Sequence, residues 1–176
     1  MNKKFELVMD QKIELFGRTL FRIKALISFA NVEAGEIGGY VEKEENLQVS
    51  GNAWVYGDAQ VSGNAWVYGD AQVSGNAQVY GDARVYGDAQ VYGDAHYLTM
   101  GPIGSRDDTI TFFRTKEFKI AVGIGCFKGT IDEFILQVKK THADNAHAKA
   151  YLLAAEVAKL RIDLTPEHTN PSHDPE

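Results

Sequence analysis

The sequence has a single cysteine, Cys126, in 176 residues, so no intrachain disulfide can form and nothing calls for an oxidising compartment. Long apolar runs are also lacking. The start, Met1 to Asp10, is broken by Glu6 and Asp10, unlike a secretory signal, and no stretch approaches the roughly 18 apolar residues of a membrane helix. These absences predict a cytoplasmic chain with no membrane partner. Positive charge is scarce: the net charge of -6 and pI near 5.4 argue against nucleic acid as a partner, which needs clustered Lys and Arg to neutralise phosphates. Of four prolines, Pro166, Pro171 and Pro175 fall among polar residues in the last twelve, Thr165 to Glu176, where no fixed structure is expected. With 44% hydrophobic residues the rest has enough apolar material for a core.

What the chain has in abundance is repetition. From Val49 to His96 a six-residue unit recurs eight times without insertion, beginning Val49 to Trp54 and Val55 to Gln60 and ending Val91 to His96. A short fixed period means that each unit is one structural step which buries its apolar side chains only by stacking on its neighbours. Alternation along a strand turns Ala and Val inward and the residue between them outward, together with the Tyr or Ser after Val. Gly beside Asn or Asp suits the corner, where φ is positive.

Solenoid ends need covering. Phe5 to Val8, then Lys12 to Phe16 and Thr19 to Ile27 about a Gly17-Arg18 turn, predict an N-terminal β-hairpin cap over residues 1–31. Residues 32–97 form the repeat body, opening with a degenerate coil (Gly35, Gly38, Gly39) and the charged link Glu42 to Glu45. A small α+β cap is predicted over 98–164, with strands at Thr109 to Phe113 and Lys119 to Val122. Thr130 to Glu133 is a capping box, and Ile131, Phe134, Ile135 and Val138 line one face of the helix it starts. A second helix, about Ala146 to Arg161, is assigned an apolar face of Ala148, Tyr151, Leu152, Ala155 and Leu160.

A Val every six positions with Gly-Asp-Ala or Gly-Asn-Ala between resembles the hexapeptide repeat of the left-handed parallel β-helix superfamily. The resemblance implies a mainly β protein with three units, hence 18 residues, per triangular coil, a left-handed winding and a homotrimer. Glu36 to Glu42, Glu44 to Leu47 and Gly125 to Phe134 also resemble short phage and bacterial hexapeptide-repeat proteins carrying a transferase label, which brings no established reaction.

At period 18 the outward residues sort onto three faces. The first carries Gln48, Ser50, Trp66, Tyr68, Arg84 and Tyr86; the second Trp54, Tyr56, Gln72, Ser74, Gln90 and Tyr92; the third Gln60, Ser62, Gln78, Tyr80 and His96. So many outward aromatics predict an interface with other copies of the chain. Trp54, Tyr56, Trp66, Tyr68, Arg84, Tyr86, Tyr92 and His96 are therefore the candidate ligand or interface residues. Arg84 is expected to stack on Trp66 one rung away, or with Trp66, Tyr68 and Tyr86 to hold a flat anionic ligand.

Three readings of function follow. The leading one is a non-enzymatic oligomeric binding protein that holds a small nucleotide-like ligand at subunit junctions or in the C-terminal cap, with no cofactor. The alternative, implied by the superfamily, is an acyltransferase using acetyl-coenzyme A with His96 as general base, although no loop protrudes from the eight units to shape a site. A purely structural repeat comes third. No metal is expected: one coil histidine falls short of a zinc site, and the corner residues Asp58, Asp70, Asp82, Asp88 and Asp94, diluted by Asn52, Asn64 and Asn76, lack a calcium-repeat signature. A repeat without Thr gives no ice-binding array. Cys126, in an apolar stretch, is assigned to the interior as a structural thiol.

Overall fold

The computed structural model describes residues 3–166; all but the first two residues of the polar tail lie outside that range. The chain opens with β1 (Phe5–Leu15) and β2 (Arg18–Ala25), an antiparallel hairpin irregular between Val8 and Lys12. The hairpin's second strand pairs with β3 (Ile37–Val41). Seven two-residue rungs follow: β4 (Trp54–Val55), β5 (Gln60–Val61), β6 (Trp66–Val67), β7 (Gln72–Val73), β8 (Gln78–Val79), β9 (Arg84–Val85) and β10 (Gln90–Val91). Each pairs in parallel with the rung 18 residues away, giving β4-β7-β10, β6-β9 and β3-β5-β8 as three stacks. This is a solenoid of three faces, and the N-terminal hairpin extends the third of them.

The interior is built as the alternation requires. Ala53, Ala59, Ala65, Ala71, Ala77, Ala83 and Ala89 and the valines from Val55 to Val91 are all at most 1% exposed. At the corners, Gly51 to Gly87 take φ between 57° and 78°, the left-handed region that a β-carbon disfavours. The corner Asn and Asp residues have a further use: Asn52 Nδ2 donates to Asp70 Oδ1 at 2.9 Å, and Asn64 Nδ2 to Asp82 Oδ1 at 3.1 Å. Rungs stacked about 4.8 Å apart would set like carboxylates against each other, and the amides convert that repulsion into hydrogen bonds.

The period departs from expectation at both ends. Val49, assigned to the interior, is 46% exposed, and Leu47 takes its place opposite Val67. The first coil is two residues longer than the others, because Tyr40 and Val41 pair with Gln60 and Val61. That misfit is filled by two buried polar groups. Asn46 donates from Nδ2 to the Gly63 and Ala65 carbonyls at 3.1 and 2.8 Å, and Lys4 donates from Nζ to the Gly51 and Ala53 carbonyls at 3.0 and 2.7 Å. Close approach explains the two glycines of β3: a β-carbon on Gly39 would lie 2.6 Å from the Ala59 carbonyl oxygen and Val55 Cγ1. At the far end Gly93 is extended (φ -176°), and the eighth unit closes as a 3-10 turn, Asp94–His96, rather than a rung.

The C-terminal cap is an antiparallel meander, β11 (Tyr97–Ile103), β12 (Asp108–Arg114), β13 (Ile120–Ile124) and β14 (Phe127–Thr130), followed by α1 (Ile131–His142) and α2 (Ala146–Arg161). The predicted capping box is present: Glu133 N donates to Thr130 Oγ1, and Thr130 N to Glu133 Oε2. Ile110, Phe112, Val122, Phe134, Tyr151 and Ala155 form its core, separate from that of the solenoid. The second helix buries Ala148, Tyr151, Ala154, Ala155 and Ala158, but Leu160 is 89% exposed. Leu160 lies nine residues after Tyr151, which at about 100° per residue places it on the opposite side of the helix. No helix among the described residues is long and apolar enough to cross a membrane.

Candidate functional site: an open face between two caps

The caps determine which outward residues remain available. Trp54, expected on the surface of the second face, is fully buried: Phe5 and Phe29 of the N-terminal segment pack edge-on against its indole at 6.3 and 5.5 Å between centroids. Tyr56 and Tyr92 on that face are half-buried. Arg114 seals the end of the face. It is fully buried, its guanidinium lies 5.3 Å from the Tyr92 ring, and it donates to the Gln90 and Thr165 carbonyls at 3.4 and 3.2 Å.

On the first face the aromatics stack as a slab. Trp66 lies on Tyr68 at 4.2 Å and Tyr68 on Tyr86 at 5.4 Å. The cation seated on these rings comes from the β13–β14 hairpin: Lys128 Nζ is 4.6 Å from the Tyr68 ring and 5.1 Å from that of Tyr86. Arg84, expected over Trp66, instead donates from Nη1 to the Gly125 carbonyl at 3.2 Å. Tyr86 is further held by its hydroxyl donating to the Val122 carbonyl at 2.7 Å and by Phe113 edge-on at 4.9 Å, and burial pushes its ionisation well above the usual tyrosine range. The slab thus receives the C-terminal sheet. Replacing Lys128 by Met is expected to lower stability by about 1–2 kcal/mol through two lost cation–π contacts, measured by urea unfolding. A neutral result would show the cation to be idle.

His96 is 9% exposed rather than presented on the third face, and its Nδ1 accepts the Tyr92 N–H at 3.0 Å. The ring fastens the turn where the period ends. Cys126 also departs from expectation: it is exposed, because Gly125 (φ 53°) and Cys126 are the two turn residues between the paired Ile124 and Phe127. A side chain at the tip of such a hairpin faces solvent whatever the polarity of its flanking strands.

The third face is left open. A cavity of about 400 Å³ runs from the hairpin tip, Leu15, Phe16 and Arg18, over Gln60, Ser62, Gln78 and Tyr80. A second, of about 300 Å³, continues from Gln78 and Tyr80 past Leu98 and Thr99 to Arg161. Tyr80 stands between them, 55% exposed. The Gln60 Oε1 atom is buried with no donor among the described residues. At the rim, Phe16 is 94% exposed with φ 48°, and Gly17 follows at φ 77°. Both residues of this two-residue turn therefore need positive φ, a conformation that favours Asn and Gly and that costs an aromatic side chain strain.

Sequence reasoning put Tyr80 and Gln78 outward on the third face but left them out of the candidate residues, set His96 beside them, and did not single out Phe16, Lys4, Asn46, Arg114 or Lys128. Phe16 had a readable signal: a bulky residue immediately before the turn glycine of a hairpin. The other four are ordinary polar residues whose roles arise only from what folding brings near: the caps for Lys4, Arg114 and Lys128, and the next coil for Asn46.

The fold and its surfaces define a β-solenoid repeat protein closed by a hairpin and an α+β cap. The central rungs match a family model described as the YdcK beta solenoid repeat, over residues 59–75 and 77–93. No curated protein matches the chain.

Proposed function

We propose that the chain is a non-enzymatic, self-associating binding protein. Its solenoid winds left-handed, three copies meet on their third faces, and the trough at each junction takes a small, flat, anionic ligand of nucleotide type. Phe16 carries this reading. It is 94% exposed, so it contributes nothing to its own chain's core, yet it occupies a strained backbone position that asparagine or glycine would fill at lower cost. A residue that destabilises its own subunit and projects over an open cavity is accounted for by a contact outside that subunit. Phe16 and Tyr80 offer ring faces to a flat ligand, and Arg161 places a cation at one end of the trough, while Arg18 at the other is paired with both carboxylate oxygens of Glu42. The catalytic alternative has less support, because His96 is engaged as a turn fastener.

The test is Phe16→Asn. It is expected to raise the stability of the chain by about 1 kcal/mol by relieving left-handed strain while lowering the assembled mass measured by light scattering. A variant that gains stability and keeps the full wild-type mass would refute the third-face interface. Native mass spectrometry of the wild type is expected to show a small molecule retained by the assembly and lost from Phe16→Asn.

A further inference from the structure

The second helix carries two apolar seams. One, Ala148, Tyr151, Ala155 and Ala158, is buried in the C-terminal cap. The other, Ala146, Ala150, Leu153, Val157 and Leu160, repeats at intervals of four, three, four and three and faces outward: Leu153 is 67%, Val157 44% and Leu160 89% exposed. A helix apolar on both sides is ordinarily covered on both sides. The spacing is that of a coiled-coil seam, on a helix whose other face is already packed in the cap.

We infer that this seam pairs in parallel and in register with the same seam of a second copy of the chain, independently of the third face. The choice of partner follows from charge and register. In a parallel pair, the residue flanking the seam on one helix meets the residue five positions later on the other, which sets Glu156 against Arg161 twice, once in each direction. The antiparallel register that pairs Lys149 with Glu156 leaves Leu160, the most exposed seam residue, in water. Val157 and Ala150 occupy one set of layers and Leu153 and Leu160 the other, and a β-branched Val157 layer between two leucine layers favours two strands.

Cross-linking tests both the seam and its direction. In a Cys126→Ser background, which removes the exposed native thiol, Leu160→Cys is expected to oxidise to a disulfide-linked species of twice the chain mass, because in-register parallel helices bring this position against itself. Lys159→Cys, also solvent-facing but off the seam, is expected to remain uncross-linked. Equal cross-linking of both, or of neither, would overturn the inference. The double variant Leu153→Glu, Leu160→Glu is expected to halve the mass of the helix-paired species with unchanged circular dichroism; an unaltered mass would also overturn it. Phe16→Asn leaves the Leu160→Cys cross-link intact if the two contacts are separate, so failure at the third face and failure at the helix are read apart.

Discussion

Trp54→Ala is expected to cost about 3–5 kcal/mol, the range for truncating a fully buried aromatic, whereas Trp66→Ala should cost about 1 kcal/mol. The two tryptophans occupy equivalent positions in equivalent repeat units, so the repeat alone predicts equal effects. Their surroundings differ. The Trp54 ring is enclosed by Phe5, Phe29 and β3, and Gly38 lies close enough that a β-carbon there would sit 2.8 Å from the indole Cζ2. Trp66 is 38% exposed and touches mainly Tyr68. Loss of the Trp54 indole opens a cavity between hairpin and solenoid that neither rigid sheet can collapse to fill. With total stabilities of domains at about 5–15 kcal/mol, the variant stands near the threshold of folding. Urea unfolding of both variants decides the matter, and equal destabilisation would mean that the N-terminal cap does not seal the second face.

The unfolding free energy is expected to rise between pH 8 and pH 10, by up to about 3 kcal/mol. The origin is Lys4, 2% exposed, whose ammonium is lowered from 10.5 to about 8 by burial, with Asp70 opposing the shift. Below pH 8 the lysine is charged in both states, and the folded state bears the full desolvation cost. Between pH 8 and 10.5 the folded protein has released the proton while the unfolded chain still holds it, so the unfolded state binds more protons and stability climbs with pH. The window closes near pH 10 from the other side. Tyr86, Tyr56 and Tyr151 are all pushed upward by burial, so above that pH the unfolded tyrosines ionise first and stability falls. Lys4→Met is expected to flatten the rise, although it leaves the Gly51 and Ala53 carbonyls short of a donor and so costs stability at every pH. A wild-type profile flat from pH 8 to 10 would show that water reaches the ammonium.

The same two residues mark the limits of what the repeat conveys. Trp54 and Trp66 were assigned alike to outward phases because period 2 along a strand and period 18 around a coil decide orientation. Neither period says what lies beyond the face. Lys4 gave no signal in the sequence, since its acceptors, the Gly51 and Ala53 carbonyls, lie 47 and 49 residues away in a coil that is two residues too long. The candidate site divides in the same way. Tyr80 and Gln78 were legible as outward residues of the third face, whereas the trough over them needs Phe16 and Arg161 from opposite caps. Leu160 was misassigned against the helical period, which already sets it opposite Tyr151; packing against Phe134 makes the Tyr151 side the buried one.

By itself, then, the sequence determined the repeating interior, the glycine corners, the capping box of α1 and the extent of α2, since each depends on contacts between near neighbours in the chain or between identical units; the 18-residue coil was implied by the hexapeptide-repeat resemblance and is seen in the rung pairing. Tertiary structure alone decided where the period begins and ends, which aromatics are buried, which cation sits on them and which face stays open. Those outcomes depend on segments remote in sequence meeting across a cap, where the energy lies in shape and burial that no local pattern encodes.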